Sequence, residues 1–525
     1  MLNLDAGINC LRRYKGKIAK ILLFLVILIL FLITRLWKLT VLPYGMHVDE
    51  AGMAYDAWSL AEYGVDRHLK SWPVYLTNFG TGQSVLYAYL CAALFKIFGY
   101  HLWLVRLPAV AFSFLNLIFG MLITRKVFPK NDVMPLVTGG LLVICPYFIM
   151  AGRFGLDCNL MLGMSTVFLY CFIRAMESEQ VIRYIWAGLT GGLLLYTYAL
   201  SYLVLPVFLL LALVYAVRVK RFLLKGWFAM AVPLGILAFP LILVQIVNYF
   251  DLPEFQIGCF TITKMDSYRA SEIGGFEYRK LFHIFDIIFL GDEWNYNTAP
   301  GYTNLYGITF VLFFLGLDIT LRKFWKSVKY RKQESLSVLL LWLISMLLLG
   351  TQIVAGVNRI NGIFYLIVLL TAVGINGLCK MFEKYAVVAA AVLGGIYLLC
   401  FHNFFIYYLG GTYTENNRML AYFDIIIPDA IEFIEQDSVL CTKRTQMAEQ
   451  GIYYALSTME SPYILDLEEI EQNKQYGNYQ FETLGEIDDS YNYIVRADFE
   501  EYCEQLRSEG FTEERYQGYS LFYKK

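Results

Sequence analysis

A polytopic α-helical membrane protein, with about eleven transmembrane helices and a small C-terminal α/β domain, is predicted from three observations. Of the 525 residues, 58% are hydrophobic and only 17% are charged, at a mean hydropathy of +0.51; a soluble domain carries about 25% charged residues. Apolar runs long enough to cross the hydrocarbon core recur through residues 1–409. When these runs are threaded alternately, every basic cluster falls on one side of the membrane, as the positive-inside rule requires.

The spans are expected near 19–38, 104–123, 134–151, 160–175, 183–198, 201–217, 227–249, 304–321, 335–354, 361–379 and 386–408. The run from Ile21 to Leu36 is too long for a cleavable signal and lacks a small-residue cleavage site, so it reads as a first anchor. Basic clusters at Arg12–Lys20, Arg125–Lys130, Arg174–Arg183, Arg218–Lys225, Arg322–Lys332 and Lys380–Lys384 then lie inside, with a cytoplasmic N-terminus. Counting Gly82–Phe98 as a further span would invert that arrangement. This segment, with its polar start and Lys96, is expected to lie in the outer interface.

The outer face then holds long loops at about 41–103 and 250–303 and short ones at about 151–160 and 355–361, whereas the inner face holds only short basic turns. This asymmetry puts the chemistry outside. From residue 410 to 525 the composition turns polar and acidic, and an extracytoplasmic α/β accessory domain is expected there. Ala430–Ile434 and Glu500–Leu506 read as helices; Ser438–Thr442, Tyr493–Arg496 and Tyr519–Tyr523 read as strands.

A net charge of −1 offers no basic face for nucleic acid. The ten cysteines show no metal-binding spacing, and no nucleotide-binding glycine pattern occurs. Tyr, Phe and Trp, 17% of the chain, cluster near span ends as an interfacial belt does. The most informative feature is the acidic pair Asp49-Glu50, just beyond the first span. A carboxylate at the mouth of an apolar bundle is costly to keep, which makes it a functional candidate.

The stretch His47-Val-Asp49-Glu50-Ala, with Ala57 to Arg67 and Trp72 to Tyr87 after it, resembles the first outer loop of bacterial GT-C glycosyltransferases. These are related to protein O-mannosyltransferases and to aminoarabinose transferases acting on lipid A. Val105-Arg106-Leu-Pro108, Arg153 to Asn159 and Asn295 to Pro300 support the resemblance, which spans roughly residues 19–380. It implies an enzyme that moves a sugar, a hexose by the family pattern, from a polyprenyl-phosphate donor to an acceptor on the outer face. That acceptor, a protein, lipid or glycan, is not legible, and the lipid bilayer is a partner by construction.

Displacing phosphate from an anomeric carbon needs a base for the acceptor proton and cations for the departing phosphate. The resemblance assigns the base to Asp49, whose simpler reading is a helix cap. Glu50 is placed to orient the acceptor or to act on Asp49 as a like charge. Asp157 matches an acidic residue that faces the first-loop aspartate in related enzymes. It would share an acceptor hydroxyl or help ligate a divalent metal, which the family leaves open, or cap the next span. Arg359, Arg153 and Arg106 at outer boundaries are phosphate ligands or snorkelling charges. Lys70 and Arg67 are first-loop cations or ordinary solvated charges. Asp292, Trp294, Asn295 and Asn297 offer a polar, stacking surface for a sugar, or a plain turn. Competing readings are a ligase or polymerase of lipid-linked glycans, a polytopic transporter and a scaffold; the sequence lacks the repeat halves common in transporters.

Overall fold

The computed structural model of the chain describes residues 2–78, 81–265, 274–291, 297–417, 443–445, 450–477, 479–481, 486–497, 499–516 and 519–524. The membrane part begins with α1 (Leu2–Leu36). The first loop then supplies α2 (Val48–Tyr63), β1 (Tyr75–Asn78), β2 (Thr81–Ser84) and α3 (Val85–Phe98). Next come α4 (Leu102–Val127), α5 (Met134–Ile144), α6 (Pro146–Ala151), α7 (Cys158–Met176), α8 (Val181–Leu195), α9 (Ser201–Arg218) and α10 (Leu224–Tyr249). After β3 (Phe255–Ile257), β4 (Phe260–Ile262) and α11 (Lys280–Phe289), the bundle closes with α12 (Ile308–Tyr330), α13 (Ser335–Gly350), α14 (Asn361–Met381) and α15 (Ala386–Gly410).

All eleven expected spans coincide with helix, but they are not uniform. Among the described residues, seven helices are long and apolar enough to cross a membrane, and α12 with α13, bent by 114°, brings the count to eight. The α12–α13 break follows from Arg331, which ends α12 in the left-handed conformation. The expected span at 134–151 is split at Pro146, whose missing N–H cannot continue a helix. The α8 helix has only 15 residues. At 14 residues, α3 would extend about 21 Å, short of a roughly 30 Å core, as are α5 and α8.

Small residues allow the closest helix contacts. At Gly316 of α12 and Gly374 of α14, a Cβ would collide with the Leu370 and Leu312 carbonyls of the facing helix. Such approach is what joins helices in a solvent as apolar as their own side chains.

The first and third loops dock on each other. Val74 N donates to Thr261 O at 2.9 Å, Thr261 N to Ser71 O at 3.1 Å, and Thr263 Oγ1 to Tyr75 O at 2.7 Å. The β1–β2 hairpin is therefore gripped by the β3–β4 hairpin.

Beyond α16 (Thr412–Asn417), the described C-terminal part comprises β5 (Lys443–Thr445), α17 (Gln450–Ser457), α18 (Leu467–Asn473), β6 (Gln475–Tyr476), β7 (Tyr479–Phe481), β8 (Asn492–Arg496), α19 (Glu500–Ser508), β9 (Thr512–Tyr516) and β10 (Tyr519–Tyr523). Its sheet runs β6-β7-β5-β8-β10-β9, with β5 parallel to β7 and β8 and the other pairs antiparallel. The helix expected at Glu500–Leu506 and the strands at Tyr493–Arg496 and Tyr519–Tyr523 are present. Ala430–Ile434 and Ser438–Thr442 lie outside the described residues. Helix α17 packs on α2: Ala455 and Leu456 join Tyr55 in one buried cluster, and the Tyr55 hydroxyl donates to Glu460 O at 2.5 Å.

Candidate active site

Asp49 occupies the second position of α2 but does not cap it. His47 is the cap, and its Nδ1 accepts from Asp49 N at 3.1 Å. Burial pushes the His47 imidazole below its ordinary pKa, so it stays neutral and can accept at Nδ1. Its 3.6 Å approach to Asp49 Oδ2 is therefore not an ion pair near neutral pH. Asp49 is left with a side chain 37% exposed, at the positive end of a helix that favours a negative charge. Asn78 Nδ2 donates to Asp49 Oδ1 at 2.9 Å and fixes its direction.

Asn78, which the sequence reading missed, sits at the end of β1 and is 1% exposed. Behind it lies Arg67, held by Asp56 through Nε (2.9 Å), Nη2 (2.7 Å) and its backbone N–H (3.0 Å). Burial opposes the Arg67 charge, but Asp56 outweighs it and holds the guanidinium above its ordinary pKa. Arg67 is thus an internal support and not a solvated charge. Gly52, one turn along α2, has no room for a side chain: a Cβ there would collide with Asn78 Oδ1 and the Arg67 guanidinium. Gly52→Ala is expected to displace Asn78 and the Arg67 guanidinium, lowering turnover about 10–100-fold, the sensitivity of catalysis to misplacement of about 1 Å, and reducing the folded yield as the buried Arg67–Asp56 pair is disturbed. Steady-state assays beside size-exclusion profiles check this.

Asp66 belongs to the same buried cluster. Its Oδ1 accepts from His68 N and Lys70 N, both at 2.9 Å, and its Oδ2 has no hydrogen-bond partner. Burial, reinforced by the Asp56 carboxylate, pushes its pKa up to about 7. A carboxyl raised this way takes up a proton on folding. Its stabilising contribution is full below the unfolded value of 3.8 and is lost as pH rises through about 7. Asp66→Asn keeps the Oδ1 acceptor and removes the buried charge. It is expected to raise the melting midpoint at pH 8 by about 2–4 °C, the response to roughly 1 kcal/mol, and to leave it unchanged at pH 4. Thermal unfolding at the two pH values measures it.

Glu50, Arg106 and Arg153 are not at the site's surface, which corrects three expectations. Glu50 and Arg106 are both fully buried and pair with each other at 2.9 Å. Arg106 directs Nε and Nη2 to Glu50, Nη1 to Leu39 O and Pro43 O, and Nη2 also to Gly45 O at 2.7 Å. All five guanidinium donors are engaged, so none remains for a phosphate. Glu50 Oε1 also accepts from Gly155 N at 3.0 Å, which ties the loop between α6 and α7 to α2. Arg153, 0% exposed, donates to Thr34 O, Trp37 O and Leu42 O and so closes the end of α1. No sequence signal separates such an arginine from a snorkelling one at the same boundary.

Asp157 is 8% exposed. Its Oδ1 accepts from Cys158 N at 2.7 Å as the N-cap of α7, and its Oδ2 from Ser84 N at 3.1 Å. The hairpin thus bridges the two aspartates, holding Asp49 through Asn78 on β1 and Asp157 through Ser84 on β2. Asn297, fully buried with φ +57°, forms a reciprocal amide pair with Asn159 at 2.8 and 3.1 Å and donates to Asn358 Oδ1 at 2.6 Å. It joins the segments that lead into α7, α12 and α14 and is buried, not exposed. Asp292, Trp294 and Asn295 lie outside the described residues. Lys70 pairs with Glu254 at 3.4 Å and donates to Lys264 O at 3.1 Å, linking the first and third loops. Arg359, half-buried beside Asn358, donates Nη1 to Val354 O at 3.2 Å.

A divalent metal finds no fitting donor set among the described residues, where no group of three or more His, Cys, Asp or Glu converges. Glu50 is committed to Arg106, and both Asp157 oxygens accept backbone N–H groups.

Residues 82–244, less than half of the chain, match the family model described as dolichyl-phosphate-mannose-protein mannosyltransferase. Over nearly its whole length the chain resembles ArnT from Cupriavidus metallidurans bound to undecaprenyl phosphate. The TM-score is 0.53 at 13% identity, covering 96% of this chain and 97% of that one. The apo form of the same protein gives 0.53, at 13% identity, with 97% and 98% covered. The Archaeoglobus fulgidus oligosaccharyltransferase, in complex with zinc and sulfate, gives a TM-score of 0.50 at 12% identity, covering 95% of this chain and 73% of that one. Comparison with curated protein sequences found no match.

Proposed function

Proceeding from the GT-C fold that this chain has, we propose that it transfers a sugar, a hexose by the family pattern, from a polyprenyl-phosphate donor to an acceptor at the outer membrane face. One observation carries this reading. Of the three acidic candidates, Asp49 alone keeps a solvent-open carboxylate, 37% exposed and aimed by Asn78; Glu50 and Asp157 are spent on internal bonds. The undecaprenyl phosphate bound to the Cupriavidus protein supports a polyprenyl carrier for the donor.

In this reading the acceptor hydroxyl attacks the anomeric carbon. The carbon–oxygen bond to phosphate breaks with its electron pair going to the carrier lipid phosphate, and the hydroxyl proton passes to Asp49. A phosphate is a stable anion and needs no acid, so one base and a cation suffice. Arg359 is the cation best suited to the departing phosphate, since Arg106 and Arg153 face inward; Asp157 positions the hairpin. The residues from 410 onward form an accessory domain, on the same outer side as Asp49. Incubating the purified protein with a panel of polyprenyl-phosphate hexoses, with mass spectrometry of the products, tests the proposal. Failure of the folded protein to release sugar from every carrier overturns it.

A further inference from the structure

We propose a second site, for the phosphate of an anionic membrane lipid, in the hollow between the end of α7 and the start of α8. The cavity, of about 360 Å³, is lined by Tyr170 and Arg174 from α7 and by Gln180, Ile182, Arg183 and Trp186 around the start of α8. Asp157 caps one end of α7 and Arg174 lies in its last turn. Seventeen residues at 1.5 Å each separate them by about 26 Å, so this hollow is remote from Asp49.

Its chemistry is that of an anion site. Arg174 Nη1 donates to the Tyr170 hydroxyl at 3.2 Å, and its guanidinium lies 5.8 Å from the ring centroid, which fixes its direction. The Arg183 guanidinium has no hydrogen bond or ion pair among the described residues. The neighbouring Glu177 is already committed, accepting from Lys126 Nζ at 2.7 Å and Ser335 Oγ at 3.1 Å. Glu179 lies on the exposed connecting turn. Two guanidinium groups thus line one cavity without a carboxylate between them. Arginine forks match the tetrahedral oxygens of a phosphate. Helix α8 begins here with no side-chain cap, so its positive end adds to the same field.

An apolar stripe singles out a lipid as the source of that phosphate. Ile182 and Trp186, 54% and 56% exposed, lie four residues apart on one face of α8. A soluble anion would use only the arginines. A phospholipid would also lay an acyl chain along Ile182 and seat its glycerol region against the indole, a side chain favoured at that depth.

Native mass spectrometry of the full-length protein, titrated separately with phosphatidylglycerol, phosphatidylcholine and inorganic phosphate, tests this. Wild type is expected to retain phosphatidylglycerol in preference to phosphatidylcholine. Arg183→Gln is expected to weaken that retention about tenfold, the loss of one charge-assisted contact; Arg218→Gln, elsewhere on the basic face, is expected to leave it unchanged. Arg183 supports no internal contact, so its variant should melt with wild type. Equal retention of the two lipids overturns the proposal, as does undiminished retention by Arg183→Gln. Inorganic phosphate binding as strongly as phosphatidylglycerol overturns it in favour of a soluble anion.

Discussion

Asp49→Asn is expected to lower sugar transfer about 10²–10⁴-fold, the contribution of a positioned general base, while leaving the protein folded. The two outcomes separate because of where Asp49 sits. Asn keeps the Oδ1 acceptor used by Asn78 Nδ2, and the His47 cap bonds to the Asp49 backbone and not to its carboxylate. The substitution removes the proton acceptor and little else. Donor binding should survive, so the loss should fall on kcat far more than on KM. Single-turnover transfer from a polyprenyl-phosphate sugar, beside a melting curve of the variant, provides the measurement. A folded Asp49→Asn protein that transfers at the wild-type rate removes the base from this mechanism.

The second large effect is structural and concerns Arg106, one of three arginines that the sequence offers as phosphate ligands. Arg106→Gln is expected to cost about 3–5 kcal/mol, as does removing one partner of a buried ion pair. Glu50 would be stranded at 0% exposure, and the carbonyls of Leu39, Pro43 and Gly45 would lose their donors. Yield of monodisperse protein and the melting midpoint should both fall, and excess donor should not restore them. A phosphate ligand would behave in the opposite way, with KM for the donor rising in a protein of normal stability. Glu50→Gln is expected to be destabilising by the same reasoning, although its neighbour Asp49 is not.

The contrast between these neighbours marks the limit of what the chain alone discloses. Span positions were legible because apolar runs and basic clusters are one-dimensional signals. The break at Pro146 was readable in principle, but the hydropathy of 134–151 masks it. At the site, the candidacy of Asp49 was legible through the match of its loop to the GT-C pattern, and its partial exposure keeps that candidacy open. The fates of Glu50, Arg106 and Arg153 were not. Whether an arginine turns inward depends on carbonyls brought to it by distant segments, such as Leu39 O for Arg106 and Thr34 O for Arg153. Asn78 was hidden for a related reason. A polar residue in a short strand carries no local mark, and only pairing and docking aim it at Asp49. In the C-terminal part, β8, β10 and α19 showed the expected apolar alternation or periodicity, whereas short strands such as β5 and β6 are set by their partners in the sheet.

The contact between α17 and α2 has a practical corollary. Tyr55, Trp58 and Tyr63 lie further along the helix that begins with Asp49 and Glu50, and they meet Leu456, Leu465 and Tyr463 of the distal part. Cutting the polypeptide after residue 410 would strip that cover and bare a row of rings along α2. A version shortened at that point is expected to expose these rings to solvent, which dye binding to exposed apolar surface would register.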